Sequence, residues 1–301
     1  MHIPGVLTVF EPRPADAVPV LVDSPHSGRD YPADFLPVID HLDYAHCEDR
    51  LVDQLIAGFP ALGATMLCAH APRIFIDLNR ARNDINRRML SDAWTGDHLR
   101  PSGFSTSGIG LIWQFIDRRP LYPQGIPSAE VQRRIADYYD PYYQTLKIGA
   151  AQLESRFGRF YHLNMHSMPT HIPADIVLGN QHHQSCSREF MDVLENAFRD
   201  AGISRIAINK PYAGAELTRV FSHRTGNGES VQIEINRGLY LDGLEAHPEK
   251  FGQMQTVLNK VLLRMADYAS APKTSVNVSR IAASRSSMET RFPSAASDVT
   301  P

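Results

Sequence analysis

Along this chain, short apolar runs alternate with segments whose apolar residues recur every three or four positions. Residues 18–24 (VPVLVDS) form an apolar run that ends in the turn formers Pro25, His26, Ser27 and Gly28, the pattern of a buried strand feeding a loop. Leu51, Val52, Leu55, Ile56 and Phe59 then recur at helical spacing before Pro60 and Gly63, which predicts a helix with one apolar face. Strands are expected at 64–69 and 73–78. Residues 79–124 are irregular, rich in Gly, Ser, Arg and Asp, and too long for an ordinary connection, which marks them as a functional region. A helical pattern covers 128–157, with Val131, Ile135, Tyr138, Tyr142 and Leu146 on one face; Pro141 demands a break or kink, and Gly158 ends the run. Strands follow at 160–165, 175–178, 205–209 and 231–235. Helices are expected at 189–200, capped by Gly202, and at 251–268, where Met254, Val257, Leu258, Val261, Leu262 and Met265 keep the period.

This alternation predicts an α/β fold, a single three-layer α/β/α domain over residues 1–270 with a mixed, largely parallel sheet. Residues 271–301 are rich in Ser, Ala and Pro without periodicity, and are expected to be a flexible tail that does no chemistry.

Composition narrows the function by exclusion. With 43% hydrophobic and 21% charged residues among 301, the chain can bury a sizeable core. A formal charge of -3 argues against a nucleic-acid partner, which would call for a concentrated basic surface. Cys47, Cys68 and Cys186 are odd in number and lack CxxC spacing, which disfavours a disulfide framework and a thiolate zinc site and fits a reducing compartment. No leader-like N-terminus and no 18-residue apolar run are present, so a soluble, cytoplasmic protein with no membrane partner is expected.

Candidate chemistry gathers in short segments at predicted strand ends, where open α/β sheets place their sites. These are 24–28 (SPHSG), 77–80 (DLNR), 164–169 (NMHSMP) and 232–237 (QIEINR), with a fifth, 47–50 (CEDR), opening the first helix. Two histidines ending separate strands, His26 and His166, together with one acid, Asp49 or Glu48, would supply three protein ligands to a catalytic Zn²⁺ and leave the fourth position to water. His162 shares a strand face with His166 and is a rival ligand. His182 and His183 fit an exposed loop. Glu234 interrupts an otherwise alternating run; buried, it would have a raised pKa useful to a general base, whereas on an edge strand it would face solvent. Asn79 and Arg80 suit the capture of a substrate carboxylate, although Arg80 could equally pair with Asp77 or Asp84.

Seven segments in register resemble the N-formylglutamate amidohydrolase family: PHSG at 25–28, CEDRLVDQL at 47–55, PRIFIDLNR at 72–80, HSMP at 166–169, ADIVLG at 174–179, PYAG at 211–214 and VQIEINRGLY at 231–240. The resemblance implies a phosphorylase/hydrolase-like fold akin to zinc carboxypeptidases and aspartoacylase. It also implies one zinc ion on His26, Asp49 and His166, with Glu48 as the alternative acid. Glu234 and Arg73 become the catalytic pair, with Arg80 a second candidate for the oxyanion, and Asn79, Arg80, Thr218 and Arg237 the substrate contacts. The small-molecule substrate would be an N-acyl amino acid, N-formyl-L-glutamate first, cleaved to formate and L-glutamate in histidine degradation, with the arginines at 80, 82, 87 and 88 available to anchor its carboxylates. Another N-acyl amino acid or small amide is the alternative, and a catalytically silent binding protein a third. Two positions depart from the family pattern: Asn164 stands where an Asp often precedes the second histidine, and Val220 where a histidine often stands. The first bears on metal affinity and the second on specificity.

Overall fold

The computed structural model describes residues 1–40, 42–222 and 227–271; the predicted tail lies outside them, apart from Ala271. Residues Met1–Ser270 form one compact unit. Its eight-stranded sheet contains β1 (His2–Ile3), β2 (Leu7–Phe10), β3 (Val20–Ser24), β4 (Thr65–Ala69), β5 (Phe160–Met168), β6 (Ile176–Gly179), β7 (Ile206–Ile208) and β8 (Gly228–Asn236). The order across the sheet is β1-β2-β4-β3-β5-β8-β6-β7. The central strands β4, β3, β5 and β8 run parallel, whereas β6 pairs antiparallel with β8, and β2 antiparallel with β4. The sheet is therefore mixed with a parallel centre, as the alternation predicts.

Strand pleating sends successive side chains to opposite faces, and each face has its own core. Val20, Val22, Leu163, Met165, Val231, Ile233 and Ile235 pack on one side with the helices Arg188–Asp200 and Pro248–Ser270. Leu21, Leu67 and Phe160 face the other way, towards Val131, Ile135, Tyr142 and Leu146 of the long helical segment between Ser128 and Phe157. On this second face the central strands change character towards their C-terminal ends, where Asp23, His162, Asn164, His166, Gln232 and Glu234 replace apolar residues. The register sets Asn164 beside Asp23 and Gln232, and His166 beside Glu234.

Two expected elements come out differently. The helix at 51–59 shrinks to a single turn, Val52–Leu55, because Leu51 adopts a left-handed φ of 60° and Phe59–Leu62 winds as a 3₁₀ turn. The strand at 73–78 does not form, since Phe75 N and Ile76 N both turn back to the Pro72 carbonyl. Ile74, Phe75, Ile76 and Leu78 are nonetheless buried. A buried segment without ladder bonds must satisfy its backbone by other means. Here the long helical segment supplies side-chain donors: Arg134 to the Phe75 carbonyl at 2.9 Å, Tyr143 to Leu78 at 3.0 Å and Tyr139 to Arg80 at 2.9 Å. The break expected at Pro141 appears as a π-helical turn, Ile135–Tyr139, which brings the proline to the start of the following helix and spares it an interior hydrogen bond.

Candidate active site

The turn after β3 carries His26. Gly28 is required in it because a Cβ there would lie 2.4 Å from the His70 carbonyl carbon. The His26 carbonyl accepts the Asp49 amide at 3.0 Å, which ties the 47–50 loop to the end of β3 although no sheet pairing joins them. His166 projects from β5 near its C-terminal end, and the two imidazole centroids are 4.7 Å apart.

His26, Asp49 and His166 can each offer one ligand atom within 4.8 Å of the others, and all three are buried. The outer ring nitrogens are already engaged, His26 Nε2 with Asp77 Oδ1 at 2.7 Å and His166 Nε2 with Asn164 Oδ1 at 2.8 Å. That leaves both Nδ1 atoms facing Asp49 Oδ2, at 3.5 Å from His26 and 2.9 Å from His166. Burial lowers the His166 pKa and favours a neutral ring with a lone pair to give. Buried His26 Nδ1 has no hydrogen-bond partner among the described residues, an orphan that a cation in the cluster would satisfy. The donor set of two imidazoles and one carboxylate fits a catalytic zinc ion.

Asp77 is the hub behind His26, also accepting from Arg73 at 3.1 Å, Trp113 Nε1 at 3.2 Å and the Asn79 amide at 3.0 Å. Burial opposes its charge, but Arg80, His26 and Arg73 outweigh that and hold Asp77 well below the usual carboxylate range. Burial likewise opposes charge on Asp49, and the bond from His166 with the nearby His26 and Arg73 outweighs it. Glu234 behaves oppositely. Burial and the neighbouring Asp49 push it up to about 8. It stands on central β8, not on an edge, is 6% exposed, and lines a cavity of about 670 Å³ together with His26, Asp49, His166 and Arg73. Tyr212, in the loop after β7, lines the same cavity.

Other expected residues take different places. Glu48 turns away from the cluster to accept from Tyr31 at 2.5 Å and Arg50 at 3.0 Å. His162 does not join the cluster; it bridges Asp23 at 2.9 Å and Ser230 at 2.7 Å inside the core. Arg80 stacks 3.9 Å above Phe104 and donates to the Ile109 and Asn79 carbonyls, with its remaining nitrogen 3.9 Å from Asp77. Asn79 lines the cavity, but its amide is engaged by Leu217, Asn164 and Gln232. Arg237 lines the cavity and spends its guanidinium on Ser167 and the His46 and Glu48 carbonyls, fastening the 47–50 loop. Thr218 is fully buried on the short helix Glu216–Val220 and does not line the cavity. Of the arginine-rich stretch only Arg80 reaches the site; Arg82 pairs with Asp97 and Asp140 in a neighbouring cavity of about 1210 Å³, and Arg87 and Arg88 are exposed. Val220 lines that neighbouring cavity.

Sequence reasoning missed Asp77 as the partner of His26, because nothing local ties positions 26 and 77. It also missed Gln232, whose even spacing to Glu234 was the available signal.

The profile of the N-formylglutamate amidohydrolase family matches residues 18–241. The chain is 30% identical over 236 residues to an N-formylglutamate deformylase of Pseudomonas aeruginosa, covering 75% of this chain and 83% of that protein. It is 27% identical over 262 residues to an N-formylglutamate deformylase of Pseudomonas putida, covering 82% and 91%. The crystal structure of an N-formylglutamate amidohydrolase from Ralstonia eutropha JMP134 superposes with a TM-score of 0.80 at 35% identity, covering 88% of this chain and 98% of that one. With the family profile spanning most of the chain and the fold shared along nearly all of a solved relative, this chain belongs to the N-formylglutamate amidohydrolase family of amide-bond hydrolases.

Proposed function

We propose that this chain hydrolyses the formamide of N-formyl-L-glutamate to formate and L-glutamate, using one divalent ion, zinc, held by His26 Nδ1, Asp49 and His166 Nδ1. The observation that carries this reading is the convergence of those three groups on one cavity with a buried glutamate whose pKa is raised. Similarity to deformylases supplies the substrate. When bound, the ion would supply Lewis acidity, polarising the formyl oxygen and acidifying water.

The protein's own groups do the rest. One Glu234 oxygen accepts from Gln232 at 2.8 Å, so the other is left to take a proton from the attacking water as its oxygen bonds to the formyl carbon. The C–N bond then breaks, and Glu234 returns the proton to the departing amine. Arg73, whose Nε is buried without a hydrogen-bond partner among the described residues, steadies the negative charge on the formyl oxygen. Arg80, held flat on Phe104, meets a substrate carboxylate. The same reading puts the reaction in the cytoplasm, in histidine breakdown.

A second reading, another N-acyl amino acid as substrate, draws on the neighbouring cavity of about 1210 Å³, which shares Asn79, Arg80 and Phe104 with the site and offers room that a formyl group does not need. One panel tests both: zinc-loaded protein with N-formyl, N-acetyl and N-succinyl amino acids. The formyl and glutamyl groups together should give the best turnover, and a chelator should abolish it. Absence of formate at every metal loading overturns the first reading, and faster turnover of a larger acyl group favours the second.

A further inference from the structure

Three buried side-chain amides, Asn79, Asn164 and Gln232, meet where the middle of β5 pairs with the middle of β8. From their bonding we infer that they form a bridge which sets the tautomer of His166 and the orientation of Glu234, making Asn79 a positioning residue and not a substrate contact. The inference rests on reading His26, Asp49 and His166 as a metal site.

A side-chain amide has one accepting and one donating end, and neighbours decide which way it faces. The backbone N–H of Leu217 donates to Asn79 Oδ1 at 2.9 Å, so Asn79 Nδ2 points the other way. Its two N–H groups reach Asn164 Oδ1 at 3.2 Å and Gln232 Oε1 at 3.1 Å. Gln232 Oε1 also accepts the Ala215 amide at 3.1 Å, which leaves Gln232 Nε2 to donate to Glu234 Oε1. Asn164 Nδ2 donates to Asp23 Oδ1 at 2.8 Å. A flipped Asn164 would set its oxygen against that carboxylate, which His162 and Tyr142 already hold in place.

The bridge has two outputs. Asn164 Oδ1 is an acceptor 2.8 Å from His166 Nε2 and so calls for a proton on Nε2, and a neutral ring so protonated keeps its lone pair on Nδ1, the atom facing Asp49. Asn79 Nδ2 also approaches His166 Nε2 at 3.0 Å, but with both its protons directed at oxygens this is a contact between donors, not a bond. The other output fixes one oxygen of Glu234 and frees the second. Both backbone donors, Ala215 and Leu217, belong to the 213–217 stretch, whose Ala213, Gly214 and Ala215 line the cavity, so the cavity wall and the two reacting groups are set by one network.

Zinc affinity, read by competition with a chromophoric chelator in the absence of substrate, and steady-state kinetics on N-formyl-L-glutamate at saturating zinc test the bridge. Asn79→Ala should weaken zinc binding and lower kcat, each by about 10–100-fold, with KM little changed. Gln232→Met keeps the shape without the amide, and should lower kcat by at least about 10-fold with zinc affinity unaltered. Asp23→Asn should weaken zinc binding by about 10-fold or more. A rise in KM with unaltered zinc affinity in Asn79→Ala, the signature of a lost substrate contact, overturns the inference. If Asn79→Ala does not fold, the other two variants decide, and unaltered zinc affinity in Asp23→Asn or unaltered kcat in Gln232→Met overturns it. A wild-type protein that binds no zinc removes the metal reading and the bridge together. One that binds zinc without releasing formate removes only the substrate assignment, and the zinc arms still stand.

Discussion

His26 Nε2 and Asp77 Oδ1 lie 2.7 Å apart, the shortest polar contact either side chain makes with another residue of the site, although 51 positions separate them in sequence. A carboxylate behind a ligating imidazole fixes which nitrogen carries the proton and makes the other a stronger donor to a cation. Asp77→Asn can present an N–H where His26 needs an acceptor. Zinc affinity should fall by about 10–100-fold with little change in secondary structure, as chelator competition and circular dichroism would show. Equal affinity in both proteins would remove Asp77 from the metal site.

Glu234→Gln removes the base but keeps its size. Turnover should drop by about 10²–10⁴-fold while zinc stoichiometry stays at the wild-type value. Elemental analysis beside a formate assay checks both halves, and undiminished turnover would take Glu234 out of the mechanism.

The raised pKa of Glu234 also predicts a pH dependence in the metal-free protein. The folded state holds its proton up to about 8, whereas the unfolded chain releases it near 4.5, so folding binds a proton between those values and stability falls as pH rises through them. His166 is shifted down from 6.5, so it works in the opposite sense only below that value. Between pH 6.5 and 8 Glu234 should lower stability as pH rises, at a slope of up to about 1.4 kcal/mol per pH unit for one proton. Denaturant melts of metal-free wild type and Glu234→Gln across that window should diverge; parallel curves would mean that Glu234 is ionised there already.

Arg134 supports the irregular stretch that carries Arg73 and Asp77. Its guanidinium lies 4.0 Å over the Phe75 ring and bonds the Phe75 carbonyl. Arg134→Leu should cost at least about 1–3 kcal/mol of stability by leaving that buried carbonyl without a partner. Urea unfolding measures it, and a loss within experimental error would show that another donor can take over.

His162 separates a structural histidine from a ligand. Because it donates to Asp23 from the sheet interior, His162→Gln should lower the melting temperature but keep one zinc per chain. Loss of zinc stoichiometry in a folded variant would restore it as a rival ligand.

Much of this protein is determined by local rules that act along the chain. Short apolar runs specify the central strands, which are buried on both faces, and period-three-to-four runs the helices Arg188–Asp200 and Pro248–Ser270, which bury one face. Even spacing on β5 and β8 puts Asn164 with His166, and Gln232 with Glu234, on one face before any contact is known. Tertiary structure decided the rest. An apolar run at 73–78 has the composition of a strand, yet side chains from a distant helix satisfy its backbone and it needs no neighbour in the sheet. Asp49 and Glu48 are adjacent and chemically alike, and only the bond from the Asp49 amide to His26, with Tyr31 and Arg50 claiming Glu48, separates them. Which end of an amide faces a ligand, or which carboxylate stands behind an imidazole, depends on groups brought together from across the chain, and no local pattern carries that information.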